Sequence, residues 1–196
     1  MADDSEDKYK EVQFVPPQEI ELKRIDTEGY LLDIGGGGEG VIGQLEGTRV
    51  VAIDMRKEEL EEAKIGDYLR IVMDATDLQF LDGSFSTVTA FFSMMYMNDE
   101  TKRMVFKEAS RVLVPGGEFR LWDLIVPKQF DENKKVYAVM LKIHLPDREI
   151  ETGYGCPWAT REQDVVLLKK LGQDAGLEVV EESVDEHTFF LKYRKP

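Results

Sequence analysis

Glycines at positions 35, 37 and 40 follow directly on the apolar run YLLDI, and one carboxylate, Asp54, closes the next apolar run, VVAID. Bare backbone at one strand end and an acid at the neighbouring strand end suit a nucleotide-sized cofactor lying across the carboxyl edge of a parallel sheet. The G-x-G-x-x-G spacing assigns one glycine to the tight turn, one to close approach of backbone and ligand, and one to helix packing. Taken alone, the fragment fits a dinucleotide, another adenosine cofactor, or a tight turn with no ligand.

The rest of the chain bounds what can surround these residues. At 196 residues, 42% hydrophobic and 10% aromatic, it can bury one substantial core, so a single domain over 1–196 is expected, with room for an embellishment. No apolar run is long enough to span a bilayer, and the acidic start MADDSEDKYKE lacks the basic and apolar regions of an export signal. Cys156 is the single cysteine, which agrees with a reducing cytoplasm, and with two histidines it forms no metal-ligand cluster, so no metal is expected. The formal net charge of -14 disfavours nucleic acid and anionic membranes as partners, since like charges repel over roughly 8–10 Å at ordinary salt. Either a monomer or a homodimer is compatible with this composition.

Residues 1–11 carry a disorder-type composition, and Pro16-Pro17 forces an extended path leading to the first strand. Strands are predicted at 30–34, 49–53, 70–73 and 87–92, with short helices at 40–45 and 57–64. Asn98 or Asp99 caps the clearest helix, in which Val105, Phe106, Ala109, Val112 and Leu113 recur at helical spacing until Pro115-Gly116-Gly117 stops it. A strand over 118–125 follows. Thr160 and Gln163 match a capping box before Val166, Leu167, Leu171 and Ala175, with Gly176 as the stop. Strands at 177–183 and 188–193 lie too close for a crossover helix and must pair antiparallel. Repeated βα units make this an α/β doubly wound sheet.

Four segments together resemble the class I S-adenosylmethionine-dependent methyltransferases of the small-molecule type: LLDIGGGGEG, VVAIDMRKEEL, MDATDLQFLDGSFSTV and FKEASRVLVPGGEFRLWD. The resemblance covers about 29–126 closely and 160–196 loosely. It implies a Rossmann-like fold, a mostly parallel seven-stranded sheet ending in an antiparallel hairpin, with S-adenosyl-L-methionine as cofactor and methyl transfer as activity. The cofactor would be held by Asp33, Gly35, Gly36, Gly37, Asp54, Met55, Asp74, Ala75, Phe92 and Ser93. The sequence departs from the family pattern at Glu39, where the third glycine is usual, and at Ser86, which replaces an acid. A histidine often found after the fourth strand is absent from SMMYM.

Charge supports this reading at Asp33, where a pyrophosphate would be repelled while an ammonium or sulfonium group would be attracted. Asp54 is placed to accept from both ribose hydroxyls; its alternative is to cap the helix near Lys57. Asp74 would accept from the adenine amino group while the Ala75 N–H donates to a ring nitrogen, or else Asp74 starts an Asx turn. Phe92 would wall the cofactor or belong to the core.

Methyl transfer is an in-line displacement at carbon, and orientation of the acceptor can contribute about 7–11 kcal/mol at best. Where the acceptor must lose a proton, Asp123, at the end of the fifth strand, and Tyr96 are the candidate catalytic residues, with His144 and Tyr154 also in question. Residues 127–159 fit the sheet pattern worst and are predicted to form an inserted hairpin turning at Pro146-Asp147, a lid whose Tyr154, Trp158 and His144 meet the substrate. Tyr154, Trp158 and Cys156 would supply an apolar or aromatic surface that could suit a planar acceptor, or whose rings could contact the sulfonium by a cation-π attraction of about 0.5–2 kcal/mol. A dimer interface or edge packing fits the same segment. Two other functions share the cofactor motif: an NAD-dependent oxidoreductase, and a non-catalytic cofactor-binding protein with the methyltransferase fold.

Overall fold

A computed structural model describes residues 9–196 of the protein. Two short strands, β1 (Val12–Phe14) and β2 (Gln18–Glu21), precede β3 (Leu31–Ile34), helix α1 (Val41–Glu46), β4 (Val50–Asp54), α2 (Lys57–Glu62) and β5 (Leu69–Val72). Then come β6 (Phe85–Phe91), α3 (Asp99–Val112), β7 (Leu113–Leu124), β8 (Val136–His144), β9 (Glu149–Pro157), α4 (Val165–Asp174), β10 (Glu178–Val184) and β11 (Thr188–Arg194).

The continuously apolar runs become the strands of a seven-stranded sheet ordered β10-β11-β7-β6-β3-β4-β5. β7, β6, β3, β4 and β5 run parallel, and β11 and β10 are added antiparallel at one edge, as the short 184–187 connection requires. β3 is buried along its whole length because both sheet faces are covered. One face receives α3 and α4: Val105, Phe106, Ala109 and Leu168 pack against Leu32, Val88 and Leu121. The other receives α1, through Val41, Ile42 and Leu45, and also a second sheet.

That second sheet was only half legible. The β8–β9 hairpin turns at 145–148, around the expected Pro146-Asp147, and pairs antiparallel from Val136↔Pro157 to His144↔Glu149. The N-terminal segment, expected as a plain extended lead-in, runs parallel along the other edge of β8: β1 pairs with 136–138 and β2 with 141–144. Pro16-Pro17 divides this edge strand in two because proline has no N–H for the ladder. The disorder expected over 1–11 falls partly on residues 1–8, outside those described; Tyr9 begins a turn whose carbonyl accepts from Val12 N–H at 3.1 Å.

Two helix ends differ in detail from expectation. Asn98 caps α3, its Oδ1 accepting from Thr101 N–H at 2.8 Å, but β7 starts at Leu113 and carries Pro115-Gly116-Gly117 within it. The capping box at Thr160 and Gln163 does not form: Asp164 caps α4, accepting from Leu167 N–H at 2.7 Å. The buried face of α4 is therefore Leu168 and Leu171, while Val166 is exposed.

Trp158, expected at the substrate, is instead buried under the second sheet. Its ring packs on Tyr137 and Phe130 with centroids 4.9 and 4.6 Å away, and its indole N–H donates to Pro127 O at 2.7 Å. Trp158→Ala should therefore destabilise the protein by about 3–5 kcal/mol in urea unfolding, whereas Ile65→Ala, at an exposed position, should change stability by less than about 0.5 kcal/mol.

Candidate functional site

The carboxyl edge of the parallel strands opens into a cavity of about 1330 Å³, room for a nucleotide-sized ligand and a second molecule beside it. Its floor is the turn after β3. Gly35 and Gly36 N–H groups both donate to Ile53 O, at 2.9 and 3.0 Å, which draws the glycine turn against the end of β4 and brings Asp54 to its side. Gly35 has φ +72°, and a methyl group there would lie 2.5 Å from Ser93 Cβ, so glycine is required both by conformation and by space. A methyl on Gly37 would come within 3.0 Å of Asp54 Oδ2. The bare backbone leaves a shallow cradle between two strand ends.

β6 delivers the opposite wall. Ser93 Oγ donates to Ile34 O at 2.8 Å. Phe92, with φ +50°, is the one non-glycine residue in the left-handed region among those described, and its N–H donates to Trp122 O at 2.8 Å. Such a backbone costs of order 1–3 kcal/mol and persists where neighbours over-determine it.

Three aspartates line the cavity. Asp33 is buried, 2% exposed, with Thr89 Oγ1 donating to its Oδ1 at 2.7 Å. Burial pushes its pKa up from 3.8 to about 7, opposed by the Thr89 hydrogen bond and reinforced by the charge of Asp54. Asp54 Oδ1 accepts from Arg56 N–H at 2.9 Å, while α2 begins without a side-chain cap, so the capping alternative does not hold. Asp74 Oδ1 accepts from Thr76 N–H and Oγ1–H, both at 2.8 Å, forming the Asx turn of its alternative reading while still lining the cavity.

All ten residues expected to hold a cofactor, Asp33, Gly35, Gly36, Gly37, Asp54, Met55, Asp74, Ala75, Phe92 and Ser93, line this one cavity, as do Tyr96 and Tyr154. Burial pushes the Tyr96 phenol up to about 12, and burial together with the Glu39 carboxylate raises that of Tyr154 further. Both hydroxyls therefore keep their protons at neutral pH.

Three expected residues lie elsewhere. Trp158 is in the core described above. His144 is on the second sheet between Glu149 and Glu19, at 3.1 and 3.3 Å, beside a separate cavity of about 510 Å³. Asp123 is fully buried behind the cavity wall, accepting from Met94 N–H (2.8 Å), Met95 N–H (3.2 Å), Leu124 N–H (2.7 Å) and Gln163 Nε2 (3.0 Å). Burial moves it up to about 6, opposed by the N–H groups of Leu124, Met95 and Met94 and by the charge of Lys102. Its oxygens are committed to the turn carrying Tyr96 and to the approach to α4, which also explains why Gln163 points inward and not into a capping box. Cys156 is buried too, its thiol pushed up to about 12 by burial first and by Asp123 second.

Sequence reasoning missed Glu39, Glu59, Met97, Met104, Ile150 and Arg161 on the cavity wall. Glu39 carried a signal, since it breaks the glycine pattern; the others come from segments whose placement depends on tertiary packing.

Comparison with known proteins finds a match to the family described as "Methyltransferase domain" over residues 32–121. The chain is 32% identical over 122 residues to a sterol 4-C-methyltransferase of Caenorhabditis elegans, covering 57% of this chain and 36% of that protein. It is 29% identical over 136 residues to a sarcosine/dimethylglycine N-methyltransferase of Halorhodospira halochloris, covering 63% and 47%. The chain thus spans less than half the length of these relatives. Among solved structures, a SAM-dependent methyltransferase of Methanosarcina mazei superposes with a TM-score of 0.62 at 18% identity, covering 87% of this chain and 94% of that one.

The buried Asp33 makes stability pH-dependent. Because its folded pKa of about 7 lies above the ordinary 3.8, folding favours the protonated form; that contribution is complete below about pH 4 and lost as pH rises through 7. The ligand-free protein should lose melting temperature between pH 5 and 8 more steeply than its Asp33→Asn variant, in parallel thermal scans. Equal slopes would mean that Asp33 is not desolvated.

Proposed function

We propose that this chain, whose residues 32–121 are a methyltransferase domain with the class I fold, moves a methyl group from S-adenosylmethionine to a small-molecule acceptor. The observation that carries this reading is the convergence of Asp33, Asp54, Asp74 and the glycine turn on one cavity at the carboxyl edge of the sheet. The donor set fits the cofactor: an acid short of hydrogen-bond donors beside the glycine turn suits an ammonium group, and two further acids suit ribose hydroxyls and an adenine amino group.

The bound cofactor would supply an electrophilic methyl carbon on a sulfonium. The protein's own part is to bind, orient and exclude water. Asp33 loses its proton when a cation is placed beside it, so ligand binding is linked to proton release near neutral pH. Asp54 and Asp74 set the cofactor's axis, and the strained Phe92 with Ser93 closes the side next to the glycine turn. The acceptor would lie toward Tyr96, Met97, Ile150, Tyr154 and Arg161. Tyr96 acts there as a hydrogen-bonding group, and Asp123 as a positioning residue that holds the 94–96 turn. No helix among the described residues is long and apolar enough to cross a membrane. The acidic charge and single buried cysteine support a cytoplasmic protein, monomer or homodimer, acting apart from nucleic acid.

S-adenosylhomocysteine at 100 times its Kd should stabilise the protein by about 2.7 kcal/mol, seen as a raised melting temperature. Asp54→Ala should weaken its binding at least about tenfold by calorimetry, the loss expected when charge-assisted hydrogen bonds are removed. Stabilisation by NAD but not by the adenosyl ligand would instead establish the oxidoreductase reading.

A further inference from the structure

Glu39 occupies the position where the resembling family carries its third glycine, and both its oxygens are taken by one face of β9. Tyr154 Oη donates to Oε2 at 2.8 Å, and Thr152 Oγ1 donates to Oε1. These residues are two apart on a strand and so point the same way. The Tyr154 ring also stacks on Phe92, centroids 5.5 Å apart and planes within 13°. The second sheet is therefore tied to the cofactor edge twice: by a carboxylate on the glycine loop, and by a ring on the strained residue that ends β6. Glu39 itself is anchored, since Gln44 Nε2 donates to its carbonyl at 2.6 Å.

The strand held in this way is weak on its own. β9 pairs with β8 and with no other described strand, so it is an edge, and Gly153 and Gly155 flank Tyr154. A methyl at 153 would lie 2.8 Å from Met140 Sδ, which would have to shift, and one at 155 would lie 3.0 Å from Val136 Cγ1. Glycines in a strand interior add conformational entropy and remove packing. A hydrogen bond to a charged acceptor is about twice as strong as a neutral one, and here it acts where the strand most needs holding.

We propose that Glu39 is a positioning residue that latches β9 over the cavity, holding Tyr154 as a wall of the acceptor chamber, and that its release opens the path by which cofactor and product pass. The latch is a property of the fold; what passes through it rests on the methyltransferase reading above.

Two experiments separate these. Amide hydrogen exchange of residues 149–157 in the ligand-free protein should speed up at least about tenfold in Glu39→Gln and in Tyr154→Phe, the latter losing one hydroxyl while keeping the stacked ring. Stopped-flow binding of S-adenosylhomocysteine should show association and dissociation rates both raised in each variant, with the double variant no faster than Glu39→Gln alone, because the Tyr154 hydrogen bond is one of those that Glu39 accepts. A merely structural role would lower the melting temperature without raising both rates. Unchanged exchange in both variants, or rate effects that add in the double variant, would overturn the latch. If the wild type binds no S-adenosylhomocysteine, the methyltransferase reading fails while the exchange measurement still decides the latch.

Discussion

Burying carboxylates at the carboxyl edge of the parallel sheet is the constraint around which this molecule is built. An isolated ionised carboxylate removed from water is costly, and a protein must supply donors, a proton or a cation. The fold does this differently at two strands. At the end of β7, Asp123 receives hydrogen bonds from Met94, Met95, Leu124 and Gln163, and so unites the turn after β6 with the approach to α4. At the end of β3, Asp33 receives one side-chain hydrogen bond, from Thr89. The first carboxylate is completed by the protein itself. The second receives fewer donors, and it lines the cavity where the first does not.

This contrast explains why part of the site was legible in the sequence and part was not. Asp33, Gly35, Gly36, Gly37, Asp54 and Asp74 lie at strand ends, and strand ends follow from apolar periodicity and from glycine, so their convergence required only a parallel sheet in the usual order. Asp123 is also at a strand end, which made it resemble a site residue. Which way its carboxylate points depends on donors from 29 and 40 residues away, Met94 and Gln163, and no local pattern reveals that. His144 and Trp158 failed for a related reason. His144 is in, and Trp158 directly follows, the hairpin whose placement over the main sheet depends on β1 and β2, a Pro-interrupted edge too short and too polar to show strand periodicity.

The same edge strand accounts for the unequal covering of the main sheet. Helices α3 and α4 cover one face with the spacing that made them predictable, whereas the other face is shared between the short α1 and the four-stranded second sheet. A sheet used as a cover has its own edges, and an edge can move without unfolding the main core. The cavity lies between a rigid floor, tied by Gly35 and Gly36 to Ile53 O, and a cover joined to it through side chains. The floor and the cover of the cavity are thus supplied by different sheets.

The chemistry is bounded by the titratable groups on the cavity wall and behind it. Tyr96 and Tyr154 are held protonated by burial, the thiol of Cys156 is buried and pushed up to about 12, and the oxygens of Asp123 are occupied. None of these is suited to take a proton from a neighbouring group at neutral pH. For the methyl displacement proposed above no such group is required: the leaving group would depart neutral, and alignment of the attacking lone pair can by itself contribute about 7–11 kcal/mol. On that proposal, the acceptors that suit such a wall would be those whose nucleophilic atom carries a free lone pair at neutral pH, or whose proton is acidic enough to leave to water before the displacement.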